Sequence, residues 1–197
     1  TLGALGAANA GVAYQENFDS SNGGYAASGF ASSWAWGTPA NGPGSAHSGS
    51  GAWATHPNGN YNPNEDSYLT SPPVDLSAYT NHEFVLTWWQ SLVTEAESDF
   101  ASVEISADGG GNWILAYGEV SGEVSTNWTR QTARLDPHYA VGNFRVRFHL
   151  RSDASLNSPG FYVDDIEVWA LTVRSNSSAA LTLYRQSFET NHGHFTV

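Results

Sequence analysis

The chain has 197 residues, with 19 acidic against 7 basic side chains and a formal net charge of −12. All the bases are Arg, and Cys, Met and Lys are absent; that excludes a disulfide frame, a thiolate metal site and a cysteine nucleophile, and argues against a nucleic-acid backbone as partner. Aromatic and charged residues each make up 13%, too many rings and too few charges for a disordered chain, and no apolar run approaches the ~18 residues of a membrane helix. Such a length suits one large domain able to bury about 70% of its unfolded surface.

Residues 1–13 are small and uncharged, and read as a linker, a leader remnant or a docked terminal segment. Residues 20–64 are rich in Gly, Ser, Asn and Pro, with Trp34, Trp36 and Trp53 among them, as expected of packed loops between short strands. From Ser67 onward the pattern is β. Glu83–Gln90 places Phe84, Leu86 and Trp88 on one face and Val85, Thr87 and Trp89 on the other. Phe100–Ser106 turns Val103 and Ile105 inward, Trp113–Tyr117 continues the β pattern, and Asn127–Leu135 follows. Asn143–Leu150 alternates Phe144, Val146, Phe148 and Leu150 with Arg145, Arg147 and His149. Gly160–Trp169 is the last strong strand. No segment keeps a helical period, so the expected fold is all-β, an antiparallel sandwich. Trp88, Trp113 and Trp169 are expected in the core.

Ser106-Ala-Asp108-Gly-Gly-Gly-Asn112-Trp113 has the form of an Asp-box hairpin turn, with Asn where Thr is usual. Its Asp side chain accepts turn amides and its glycines supply positive φ, which is a structural role. In Gly160-Phe-Tyr-Val-Asp164-Asp165-Ile-Glu-Val, simple alternation puts Asp164 on the face of Ile166 and Val168. A carboxylate on that face needs backbone amides, an Arg or a hard cation as partner. No H-E-x-x-H, G-x-S-x-G, P-loop or dinucleotide fingerprint is present, so the chain is expected to be noncatalytic. Glu95, Glu97 and Asp99 read as a solvated acidic loop, with a second cation site as the alternative, and His192 and His194 as solvated side chains, with metal ligation as the alternative.

Tyr14–Tyr25 aligns without gaps to Tyr184–Phe195, sharing Tyr, Phe, an acid, Gly and an aromatic in register. That makes residues 14–172 one domain, 173–183 a linker, and 184–197 the start of a second copy or a strand-donating tail.

In order along the chain stand Glu16-Asn-Phe18-Asp19, Trp36-Gly-Thr-Pro39, Ala46–Thr55, Tyr68–Ser77, the Asp-box turn and Gly160–Ile166. Together, from about Tyr14 to Ala170, they resemble the MAM-like domain attached to immune-inhibitor-A-type secreted metalloproteases and other prokaryotic surface proteins. The resemblance implies a jelly roll with a structural calcium. Carried over, the ligands are Glu16, Asp19, Asp164 with Asp165 as substitute, and carbonyls at Ser48 and Gly49. It also implies a secreted or cell-surface accessory or adhesion domain, whose partners are other extracellular proteins, copies of itself or glycans. The alternatives are a repeat of a filament or surface layer, and a carbohydrate-binding module using Trp34, Trp36, Trp53 or Trp128. Asn127-Trp-Thr and Asn176-Ser-Ser fit the N-glycosylation pattern.

Overall fold

The computed structural model describes residues 10–172. Eleven strands run in chain order: β1 (Ala10–Glu16), β2 (Ala26–Phe30), β3 (Trp34–Gly37), β4 (Ala52–Thr55), β5 (Asp66–Thr70), β6 (His82–Val93), β7 (Phe100–Ser106), β8 (Ile114–Val120), β9 (Glu123–Leu135), β10 (Arg145–Arg151) and β11 (Gly160–Thr172). They form two antiparallel sheets, ordered β3-β4-β11-β6-β9 with β1 also on β11, and β2-β5-β10-β7-β8. This is a jelly-roll sandwich, and among the described residues there is no α-helix.

The alternation read from the sequence is what closes the core. Phe84, Leu86 and Trp88 of β6 are fully buried, as are Phe148 and Leu150 of β10. Trp88 meets Phe148 edge-on at 6.1 Å, and Phe148 meets Phe161 at 5.8 Å, joining the two sheets through rings.

Three details differ from simple alternation. First, β1 begins at Ala10, with Ala10, Gly11 and Val12 opposite Leu171, Ala170 and Trp169, so four residues assigned to the terminal segment belong to the sheet. Second, Trp113 is only half-buried and precedes β8; this edge strand leaves Ile114 57% and Leu115 52% exposed.

Third, the register of β11 against β6 shifts between Asp164 and Glu167, and Asp165 has φ 44°. Before this bulge Phe161 and Val163 face the core; after it Ile166, Val168 and Ala170 do. Asp164 is therefore not on the Ile166 face. It shares the outer face with Tyr162, and it is still fully buried, because residues 38–51, between β3 and β4, cover that face. Trp169, between core-facing Val168 and Ala170, points outward by alternation, so it is half-buried on the outer face rather than in the core.

Candidate functional site

The covering loop is fastened by the two acids of the bulge. Asp164 Oδ2 accepts the backbone N–H groups of His47 (2.9 Å) and Ser48 (3.2 Å), and Oδ1 accepts that of Asp165 (2.8 Å). Asp165 holds the same two residues by their side chains: His47 Nδ1 at 2.5 Å and Ser48 Oγ at 2.9 Å. The His47 ring stacks on Trp89 at 3.7 Å and 16°. Trp128 donates its indole N–H to Ser45 O at 3.0 Å. Burial, and next the charge of Asp165, push the Asp164 carboxyl up to about 7 despite the three amides.

The residues expected to bind calcium lie on neighbouring segments at this end of the sandwich. Glu16 pairs with Ile166, next to Asp165. Glu16 Oε1 accepts the Phe18 N–H at 2.9 Å, and a Cβ on Gly23 would lie 2.7 Å from its Cδ. Asp19 is pressed against Gly49, where an added Cβ would collide with Oδ1; Gly49 has φ 52°. The donors are hard oxygens, the type calcium takes. They do not converge as a trio of acids: among the described residues the three acidic ligand atoms within 4.8 Å of one another belong to Glu95, Asp99 and Asp153.

That second cluster is internally bonded. Asp99 is fully buried rather than solvated, and it accepts from the Tyr61 hydroxyl and from the Asp153 N–H. Glu95 accepts from Ser155 Oγ at 2.9 Å. Glu97 lies outside the trio.

Beside the bulge a groove of about 750 Å³ opens on the outer face of the β1-β11-β6-β9 sheet. Trp89, Trp169, Arg130, Glu167 and Gln15 line it, with Glu16 and Asp165 at one end and the Asn17–Ser21 loop at its rim. Its polar groups are held in place. Glu167 Oε2 accepts from Arg130 Nη2 (3.0 Å), Trp169 Nε1 (2.8 Å) and Thr87 Oγ1 (3.2 Å).

Neither groove tryptophan is among the four proposed as sugar platforms. Of those four, Trp34 and Trp53 are buried at 6% and 5% and belong to the core, so they present no ring to a ligand. Trp36 is 40% exposed, with its N–H on Phe18 O. Trp128 is half-buried, and its ring lies 6.0 Å from that of His47. Asn127 is exposed. Asn176, His192, His194 and the Tyr184–Val197 segment lie outside the described residues. The missed signal is the Trp88-Trp89 dipeptide: consecutive strand residues point to opposite faces, so one of the two had to face outward.

No family model matches the chain. It is 32% identical over 170 residues to Bacillopeptidase F of Bacillus subtilis (strain 168), a match covering 86% of the chain. The chain spans 11% of that protein's length. In structure it resembles the K2 cleaved adhesin domain of Lys-gingipain, with a TM-score of 0.51 at 19% identity, covering 82% of this chain and 98% of that one. The K1 cleaved adhesin domain from Porphyromonas gingivalis W83 also has a TM-score of 0.51, at 15% identity, covering 79% and 96%. A carbohydrate-binding module of the β-sandwich superfamily has a TM-score of 0.50 at 15% identity, covering 77% and 60%. At these identities the likeness shows a shared β-sandwich fold.

Proposed function

We propose that the chain is a noncatalytic accessory or adhesion domain, MAM-like, of a secreted or cell-surface multidomain protein. The observation that carries this reading is one of proportion. A stretch matching 11% of a peptidase builds a closed sandwich of its own. The peptidase motifs sought in the sequence are absent from it. The test is proteolysis: the isolated chain leaves casein and peptide substrates intact, and cleavage by it sinks the reading.

Calcium belongs to the same proposal. Glu16, Asp19 and Asp165, with Asp164 behind them and carbonyls at Ser48 and Gly49, would hold the ion. It would neutralise the acids that meet where β1, the covering loop and β11 come together. Thermal melting decides this: added calcium raises the midpoint and a chelator lowers it, whereas identical midpoints remove calcium from the account.

Self-association is the second reading, favoured by the echo of Tyr14–Tyr25 at Tyr184–Phe195. The first copy contributes to β1, which among the described residues pairs with β11 and no other strand. Multi-angle light scattering of the full chain separates the two readings: a monomer at all concentrations excludes a filament repeat.

A further inference from the structure

We infer that the outer-face groove binds neutral pyranose sugars of a polysaccharide, with Trp169 as the stacking platform. This deepens the accessory-domain reading and rests on it.

Three observations lead there. The volume, about 750 Å³, falls within the range of small-ligand sites, roughly 300–1,000 Å³. The lining pairs two indoles with groups that match vicinal hydroxyls. A sugar ring has an apolar C–H face and a polar rim, so an indole face with planar donors and acceptors beside it complements both. Trp169 and Trp89 supply the indoles; Arg130, Gln15 and Asn17 supply the polar edge.

The groove is also already ordered. The Trp169 N–H is fixed on Glu167, Glu167 is fixed by Arg130, and one face of Trp89 is occupied by His47. Side chains immobilised before binding lose little entropy when the ligand arrives. Trp169 is therefore the platform, and Trp89 with His47 flanks it.

Charge selects among sugars. Arg130 and Glu167 answer each other's charge, so among the described residues lining the groove no unpaired cation remains to receive an anionic sugar. The chain as a whole carries −12. Uronic acids, sialic acids and sulfated glycans are repelled; neutral hexoses and pentoses are not.

The test is affinity electrophoresis of the full chain in gels containing xylan, barley β-glucan or galactan, with polygalacturonate as the anionic control. At least one neutral polymer retards the chain and polygalacturonate does not. Trp169→Ala weakens that retardation ~10-fold or more, as loss of a central aromatic anchor does, with an unchanged circular dichroism spectrum. Gln15→Ala, on exposed β1, weakens it less and guards against a folding defect in the tryptophan variant. No retardation in any neutral gel overturns the inference, as does equal retardation of parent and both variants, or retardation by polygalacturonate alone. Those failures leave the accessory-domain reading standing, since that reading is tested by proteolysis and by self-association, not by glycan binding.

Discussion

Two aspartates do the same job in different surroundings. In the Asp-box turn, Asp108 Oδ1 accepts from Ser106 Oγ (2.7 Å) and the Asn112 N–H (2.9 Å), and Oδ2 from Asn112 Nδ2 (2.6 Å). In the bulge of β11, Asp164 accepts three backbone amides. Both carboxylates organise a loop, yet their proton affinities move in opposite directions. The hydrogen bonds hold the solvent-facing Asp108 well below the usual carboxylate range. Burial and the neighbouring Asp165 raise Asp164 to about 7. Amide donors lower the pKa at both sites; at Asp164 desolvation and the like charge of Asp165 outweigh them.

Removing the buried acid has the largest expected effect. Asp164→Ala strands the His47 and Ser48 amides under the covering loop, and unfolding in urea shows a loss of about 2–3 kcal/mol. A loss below about 0.5 kcal/mol, the range of ordinary surface changes, means the acid does not hold the loop.

Gly49→Ala comes next. The backbone there has φ 52°, and the new Cβ collides with Asp19. We expect a loss of about 1–2 kcal/mol and faster amide exchange at His47 and Ser48. An unchanged exchange pattern means that the Asp19–Gly49 contact does not fix the loop.

The pH dependence sharpens the contrast. Burial and the Asp165 charge push the Asp164 carboxyl up to about 7 in the folded chain, from the ordinary 3.8. Between those values the folded chain holds a proton that the unfolded chain releases. In chelator, the contribution of Asp164 to stability is therefore fully present below about pH 4 and is lost as pH rises through 7. For Asp108 the sign reverses: its contribution is present above 3.8 and is lost as pH falls below it. Urea midpoints from pH 4 to 8 check the first limb, and Asp164→Asn removes that slope. A slope that survives in this variant comes from another group.

Asp108→Ala gives the smallest effect. The turn loses its acceptors, but water satisfies the exposed amides, so the change shows as faster exchange at Asn112 more than in the melting midpoint. A midpoint shift as large as that of Asp164→Ala would erase the distinction between the two sites.

The same pair marks how far the sequence could be read. Every partner of Asp108 lies within four residues, so local chemistry determined the turn, its glycines and its Asp. Strand alternation likewise determined the all-β sandwich and the buried rows of β6 and β10, because a period of two fixes which side chains share a face. It stopped at the bulge. A positive φ at Asp165 shifted the register between the two halves of β11, which put Asp164 on the face opposite Ile166; Trp169 lies outside the core by plain alternation with Val168 and Ala170.

His47 was not legible at all: it meets Asp165 across 118 positions. Two of the four loop tryptophans went to the core, because polar neighbours in sequence say little about what a ring packs against in space. Composition and period thus determined that this chain is an acidic β-sandwich with an Asp-box turn. Which acid is desolvated and which indoles meet in a groove came from packing in three dimensions, because desolvation and ring placement depend on segments that lie far apart along the chain.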